Sequence, residues 1–181
     1  MTAKKNSSSS QRNAANRPAR GAPAEVVDAI RLLVDDHDAV KGLFKTYEKL
    51  VKDEASVEEK QAVAQEICLA LKAHTTIEEE IFYPTARDAL DDDGMFDEAE
   101  VEHESVKDLI EQIEGMSPQE DLYDAKVTVL GEYIDHHVKE EETEMFPKVR
   151  KTDLDLKSLG DQMESRRDQL ILEFSPDFHS V

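Results

Sequence analysis

The chain has 181 residues, a formal net charge of −20 and one cysteine, Cys68. This length suits a single domain, and the lone cysteine excludes an intrachain disulfide and an all-thiolate iron–sulfur cluster. The acidity predicts that the protein binds neither nucleic acid nor anionic membranes. Because we find no membrane-spanning apolar run and no signal-peptide core, we expect a cytoplasmic protein.

The first 22 residues are rich in Ser, Asn and Arg and contain no acidic residue. We predict a disordered basic tail over residues 1–22, with a targeting peptide as the alternative. Helical periodicity starts near Ala24, and we assign residues 23–152 to a helical bundle. The first segment places these residues three or four apart on one face: Val27, Ile30, Val34, His37, Val40, Phe44 and Tyr47.

The second and third segments have clear boundaries. A capping-box pattern from Ser56 to Glu59 predicts the start of the second helix, and residues 91–94 predict a turn after it. Gly115 predicts the end of the third helix. The inner face of the second helix comprises Val63, Ile67, Leu71, His74, Glu78 and Ile81. The inner face of the third comprises Phe96, Ala99, His103, Val106, Ile110 and Ile113.

The fourth helix is predicted to open at Ser117, where a capping-box pattern coincides with Pro118 at the first helical position. Its predicted inner face comprises Leu122, Val129, Tyr133, His137, Glu141 and Met145. We expect Tyr133 to pack in the core, or else to lie above a bound metal. Four long helices with short connections predict an all-α, antiparallel up-down four-helix bundle. We predict a short additional C-terminal helix over residues 153–174, packed on or beside the bundle, and an irregular tail over 175–181.

The sequence contains an internal repeat. The segment from His74 to Pro84 matches the segment from His137 to Pro147, since each has a His, a Glu four residues later and a Pro ten residues after the His. Residues 36–41 likewise match residues 102–107. Each half therefore carries one His on its first helix and a His-x-x-x-Glu motif on its second. Two such halves can pack around a pseudo-twofold axis with their histidines facing inward.

This pattern favours a metal site over four separate core histidines. A His and a Glu four residues apart share a helix face, and buried carboxylates without basic partners require a cation. Imidazole and carboxylate together suit iron, manganese or zinc, and two bridging carboxylates suit a dinuclear site. A single His on an apolar face is usually a hydrogen-bonded core residue, but here the repeat relates four of them. The candidate ligands are His37, His74, Glu78, His103, His137 and Glu141.

The fourth helix leaves an alternative open. His136 and Glu140 have the same i, i+4 spacing as His137 and Glu141. Alignment on the two prolines selects His137 and Glu141, and we interpret His136 as a flanking or supporting residue that could still contribute a ligand. Glu79 and Glu142 are interpreted in the same way.

At these residues the chain resembles the hemerythrin-like HHE cation-binding domains, over about residues 25–150. The resemblance implies a non-haem di-iron centre with an oxo or hydroxo bridge, with manganese or zinc as alternatives. It implies that His37 and His74 hold one iron and that His103 and His137 hold the other. Glu78 and Glu141 would bridge the two ions.

The motif differs from that of the oxygen-carrying hemerythrins. Their third helix carries His-x-x-x-His, whereas Lys107 stands four residues after His103, and their last carboxylate is an Asp five residues after its His. The resemblance therefore favours binding or turnover of hydrogen peroxide, oxygen or nitric oxide, including catalase-like protection from oxidative stress, over simple oxygen carriage. The alternatives are an iron- or oxygen-responsive sensor without turnover, and a structural or storage metal site or a helical interaction domain. Whether the protein is an enzyme, and its oligomeric state, stay open.

Overall fold

The computed structural model describes residues 28–90 and 94–175. The predicted basic tail, residues 91–93 of the predicted turn and residues 176–181 lie outside the described residues. Seven α-helices occur in the described part, and no strand does: α1 (Ala29–Lys52), α2 (Val57–Ile77), α3 (Tyr83–Leu90), α4 (Gly94–Glu114), α5 (Tyr123–Glu140), α6 (Phe146–Val149) and α7 (Leu156–Phe174). None of these helices is long and apolar enough to cross a membrane.

Two π-helical turns join pairs of these helices end to end, so the seven helices form four long helices and α7. Glu78–Phe82 joins α2 to α3, and Glu141–Met145 joins α5 to α6. Helix α1 packs against α2 and α5, and α4 packs against the same two helices. The prediction of an all-α four-helix bundle is therefore confirmed. We refer to α1–α3 as the first half and to α4–α6 as the second half.

Local sequence accounts for where the first helices begin. Asp28 caps α1, since its carboxylate accepts a hydrogen bond from the backbone N–H of Arg31 at 2.8 Å. Ser56 and Glu59 form the predicted capping box at the start of α2. Each such cap satisfies backbone donors that have no partner within the helix and stabilises it by about 1 kcal/mol.

The predicted start of the fourth helix at Ser117 is wrong. Glu120 does accept a hydrogen bond from the backbone N–H of Ser117 at 2.7 Å, but the turn that they close does not continue. Leu122 has a φ of 74°, in the left-handed region, and α5 begins at Tyr123. A leucine in this conformation interrupts the helical hydrogen bonds, so the capping pattern produces only an isolated turn.

The inner face of α5 also differs from the prediction. Leu122 is 68% exposed and Tyr133 is 48% exposed, so Tyr133 neither packs in the core nor lies above the centre. In the first part of α5 the buried positions are Tyr123, Val127, Leu130 and Ile134. The predicted face is therefore displaced by one residue in this part of α5, because repeated steps of four residues back from His137 drift off one face of a helix with 3.6 residues per turn.

The core consists of two apolar clusters with a layer of histidines between them. One cluster contains Leu33, Ile77, Ala99 and Met145, and the other contains the corresponding residues at the opposite end of the bundle: Val40, Leu71, Val106 and Ile134. Each of the four histidines lies along its helix between a residue of one cluster and a residue of the other. Burial of each large apolar side chain contributes about 1.5–3 kcal/mol, so both ends of the histidine layer are firmly closed.

Helix α7 covers one side of the first half. It packs against α1 and α2, and its residues Leu159, Met163 and Leu170 belong to the first apolar cluster. Gly160 lies against the start of α1, where a Cβ atom would stand 2.8 Å from the backbone nitrogen of Ala29. Only a residue without a side chain allows this close approach.

Candidate metal centre

The four predicted histidines meet in the middle of the bundle, one from each long helix. Nε2 of His37 lies 3.1 Å from Nε2 of His74, and Nε2 of His103 lies 3.1 Å from Nε2 of His137. Each histidine is no more than 6% exposed. The histidines thus form two pairs, one in each half, and all four present Nε2 to the centre.

The two predicted glutamates lie between these pairs. Oε2 of Glu78 is 3.2 Å from Nε2 of His74 and 3.4 Å from Nε2 of His103. Oε2 of Glu141 is 3.2 Å from Nε2 of His37 and 3.5 Å from Nε2 of His137. Each carboxylate therefore contacts both histidine pairs, as a carboxylate that bridges two ions must do.

The two carboxylates are buried, and three of their four oxygens have no hydrogen-bond partner. Glu78 is fully buried and Glu141 is 1% exposed, yet both oxygens of Glu78 and Oε2 of Glu141 accept no hydrogen bond. An unpaired carboxylate is among the most costly groups to bury, and coordination of a cation removes that cost. The donor set fits a pair of transition-metal ions with mixed nitrogen and oxygen ligands.

The π-helical turns place the two glutamates. Glu78 and Glu141 are the first residues of the two turns, so the repeat extends to backbone conformation. Pro84 and Pro147 each stand two residues after the end of a π-helical turn. Because proline lacks the N–H that a regular helix uses for a hydrogen bond, the wider π-helical turn accommodates the missing bond and the bulk of the proline ring. The sequence contained this signal in its prolines, but their effect on the helix was not predicted.

A ring of carboxylates supports the histidines from outside. Nδ1 of each histidine faces an acidic side chain, and the four pairs obey the pseudo-twofold relation: His37 with Glu142 at 3.0 Å, His103 with Glu79 at 2.9 Å, His74 with Asp36 at 3.6 Å, and His137 with Glu102 at 2.8 Å. Such partners fix the ring orientation and make the opposite nitrogen a better ligand. Glu79 and Glu142 thus point at histidines rather than at the centre.

Basic side chains hold this outer ring in turn. Lys107 donates hydrogen bonds to Glu79, and Lys41 lies 3.5 Å from Glu142 in the equivalent place. Arg167 of α7 donates to Asp36 at 2.6 Å. Lys107, at the position where oxygen carriers have a further histidine, therefore supports the centre from outside rather than providing a ligand.

The charges of these groups reinforce one another. Burial lowers the pKa of His74, but Glu78 and Asp36 outweigh burial and raise that pKa to about 10. Burial also lowers the pKa of His137, but Glu141 and Glu102 outweigh burial and raise that pKa to about 9. Burial raises the pKa of Glu141, yet His137 and His37 hold it far below its usual range. Protons on His74 and His137 thus balance the charge of the buried carboxylates, and a bound cation would take their place.

Tyr83 is a functional candidate that the sequence analysis missed. Its hydroxyl donates a hydrogen bond to Oε1 of Glu141 at 2.9 Å and lies 3.3 Å from Nε2 of His103. Burial and the nearby Glu141 raise its pKa well above the usual value, so the hydroxyl keeps its proton. The residue stands in the repeated segment directly before Pro84, where the other half has Phe146, and that difference was the available signal.

His136 lies outside the central group. It is 63% exposed on its side chain, and its Nε2 is 3.3 Å from Oε1 of Glu140 and 3.6 Å from Oε1 of Glu102. The structure therefore brings together His37, His74, Glu78, His103, His137 and Glu141 and leaves His136 at the surface.

The chain is similar to known proteins over the region that forms this centre. Residues 28–149 match the family profile described as Hemerythrin HHE cation binding domain. The chain is 28% identical over 148 residues to the uncharacterized protein Rv2633c of Mycobacterium tuberculosis (strain ATCC 25618 / H37Rv), a match that covers 80% of this chain and 88% of that protein.

Two further similarities add a solved structure and a longer protein. The crystal structure of a hemerythrin HHE cation binding domain-containing protein, the Rv2633c homolog from Mycobacterium kansasii, superposes with a TM-score of 0.66 at 29% identity, covering 80% of this chain and 88% of that chain. A protein named DNA nickase from Nostoc sp. (strain PCC 7120 / SAG 25.82 / UTEX 2576) is 30% identical over 125 residues. That match covers 69% of this chain but only 33% of the nickase.

Proposed function

Because the chain belongs to the hemerythrin HHE cation-binding domain family, we propose that it holds two iron ions and binds or turns over a small oxidant. The candidate oxidants are hydrogen peroxide, oxygen and nitric oxide. One observation carries the proposal: three of the four oxygens of two buried carboxylates accept no hydrogen bond, and each carboxylate lies within 3.5 Å of a histidine nitrogen from both halves.

The six central residues divide naturally between two ions. His37 and His74 would hold one ion, and His103 and His137 the other, because the nitrogens of each pair lie 3.1 Å apart. Glu78 and Glu141 would bridge. When bound, the pair of ions supplies electron transfer and Lewis-acid sites for small oxygen or nitrogen ligands.

The space beside the centre supports a small substrate. A cavity of about 70 Å³ lies next to His137 and Glu141, and about 10–15 Å³ of such space is enough for one water molecule. The cavity therefore has room for a peroxide or a diatomic molecule. The apolar clusters on both sides of the histidine layer keep the remaining approach dry.

Tyr83 supplies the group best placed for proton transfer. Its hydroxyl oxygen lies 2.9 Å from Oε1 of Glu141 and donates its proton to that oxygen, between the second histidine pair and the bridging carboxylate. A small oxidant that takes up electrons also needs protons, and this hydroxyl can donate one without any side-chain rearrangement. Phe146, the equivalent residue of the second half, stacks on His37 with ring centroids 5.8 Å apart and has no proton to give.

A sensor without turnover is the second candidate, favoured by the contacts of α7. Arg167 of this helix donates a hydrogen bond to Asp36, which faces His74. Loss of metal would change the charge next to this contact and release the helix. A sensor of this kind would show a large stability difference between metal-free and loaded protein.

The test is elemental analysis of the protein purified without added metal, together with its visible spectrum and a peroxide assay. We expect about two irons per chain and sustained oxygen evolution from peroxide. Two irons without turnover would favour the sensor. Zinc alone, or no metal after anaerobic reconstitution with ferrous ion, would contradict both candidates.

A further inference from the structure

An acidic opening connects the centre to the surface of the second half. We define it by the four acidic residues that line the cavity beside His137 and Glu141, namely Glu98, Glu102, Glu140 and Glu144, together with His136, which lies outside the cavity next to Glu102 and Glu140. Glu98 and Glu144 are exposed, and Glu102 and Glu140 are half-buried. No Lys or Arg is among the described residues that line the cavity. Such a concentration of negative charge attracts cations and gives no advantage to neutral oxidants.

The outer end of this opening has the donors of a cation site. One oxygen or nitrogen from each of Glu102, His136 and Glu140 lies within 4.8 Å of the other two. Two carboxylates with one imidazole suit a divalent first-row metal ion. His136 is 63% exposed, so an ion from solution reaches this set directly.

Glu102 links the outer donors to the centre. Its Oε1 faces Nε2 of His136 at 3.6 Å, and its Oε2 contacts Nδ1 of the inner residue His137 at 2.8 Å. At the inner end of the cavity, Glu141 is 1% exposed and its Oε2 accepts no hydrogen bond. The donors at the surface are thus connected through Glu102 to the buried Oε2 of Glu141, which has no hydrogen-bond partner.

The first half shows that the fold does not require these acids. The repeat relates Glu98 to Leu32, His136 to Ala73, Glu140 to Ile77 and Glu144 to Ile81. Of these apolar equivalents, Leu32, Ala73 and Ile77 are buried in the cluster that includes residues of α7. The same place in the bundle is therefore apolar and covered in one half, and acidic and open in the other.

From these observations we propose that the acidic opening is the uptake route for ferrous ion. Glu102, His136 and Glu140 capture the hydrated ion at the surface, and the ion then passes along the cavity to His137 and Glu141. The proposal rests on the dinuclear site proposed above and adds to it a separate outer site and a direction of loading.

The first test measures how fast the metal-free full-length chain takes up ferrous ion under anaerobic stopped-flow conditions at low ionic strength. The triple variant E98Q/E140Q/E144Q removes charge from the opening without touching Glu102 or the six central residues. We expect uptake about tenfold slower, the same final content of two ions, and a difference that shrinks in high salt.

A charge-matched control separates the local effect from the net charge of the protein. It carries the same number of substitutions at exposed glutamates far from the opening: E48Q/E58Q/E111Q. We expect this control to load at the wild-type rate. Equal rates for the wild type and both variants would overturn the proposal, as would equal slowing of the two variants.

A second test detects the outer site itself. Manganous ion titrated into the iron-loaded protein should occupy one additional, weaker site per chain, visible by electron paramagnetic resonance, and His136→Ala should abolish it. Absence of this site in the wild type, or its persistence in the variant, would overturn the proposal. A wild-type chain that never takes up two ions removes the proposed function as well, whereas normal loading with unchanged rates removes only the uptake route.

Discussion

The two halves of the bundle are nearly identical at the centre and different outside it. Each half supplies two histidines and one glutamate of the central group, and two carboxylates that face those histidines. Outside this group, the first half is apolar and covered by α7, and Phe146 of the second half stacks on its His37. The second half is acidic and open, and the Tyr83 hydroxyl of the first half faces its His103. The repeat therefore accounts for the central group of histidines and glutamates, while any difference between the two ends of that group arises from residues that break the repeat.

The largest expected effect tests whether the halves act as one site. Glu78→Ala should remove most of both metals, and Glu141→Ala should do the same, because each carboxylate contacts both histidine pairs. Elemental analysis of the purified variants measures this. Glu104→Ala, an exposed change next to His103, is the control and should keep two metals. Retention of two ions in Glu78→Ala would rule out a bridging role, and retention of one would mean that the halves bind independently.

The next effect tests the hydroxyl that distinguishes the halves. Tyr83→Phe makes the first half match the second at this position, so we expect two metals to be retained and peroxide turnover to fall about 100-fold, as for loss of a positioned acid. Tyr133→Phe removes an exposed hydroxyl and should leave turnover unchanged. Unchanged turnover in Tyr83→Phe would show that protons reach the centre by another route.

Sequence reasoning succeeded where the repeat supplied two independent copies of the same signal. The spacing of His74 to Pro84 and of His137 to Pro147 fixed the register of the inner faces near the centre. The competing pair His136 and Glu140 could be set aside only because both prolines gave the same alignment. The structure brings all six predicted residues together.

Sequence reasoning failed where only one copy existed. The start of α5 was placed at Ser117 on a capping pattern, but the left-handed conformation of Leu122 has no local sequence signal such as Gly or Asn. The contacts of Arg166 and Arg167 with the first half join residues far apart in the chain. No periodicity encodes contacts of that kind, so they could be found only in the folded structure.

A smaller effect tests the support that α7 gives to the first half. Arg167→Ala removes the hydrogen bond to Asp36, the carboxylate that faces His74. Because loss of such an outer partner typically lowers metal affinity 10–100-fold, we expect one of the two ions to bind at least about tenfold more weakly. Competition with a chelator measures this. Arg166→Ala, which loses only contacts to Glu80 and Glu173, is the matched control and should keep both affinities.

The packing of α7 can be tested without touching any charged group. Gly160→Ala places a Cβ atom 2.8 Å from the backbone nitrogen of Ala29, so the two helices must separate. We expect the free energy of unfolding, measured in denaturant, to fall by about 1–3 kcal/mol, as for other overpacked contacts. Gly42 has no atom within 4 Å of an added Cβ, and Gly42→Ala in the exposed middle of α1 should instead stabilise by about 0.5–1 kcal/mol. Equal stability of the two variants would mean that α7 is not held where the structure places it.

The smallest expected change in metal content concerns neighbouring histidines on α5. His137→Ala should lower the content, because its Nε2 lies among the central donors, whereas His136→Ala should leave two ions bound at equilibrium, because its side chain is 63% exposed. Elemental analysis after extended loading separates this from any effect on loading rate. The reverse pattern would place α5 one residue out of register, and it would move the second bridging carboxylate from Glu141 to Glu140. Since the pseudo-twofold relation depends on that register, this pair of variants tests the symmetry of the centre most directly.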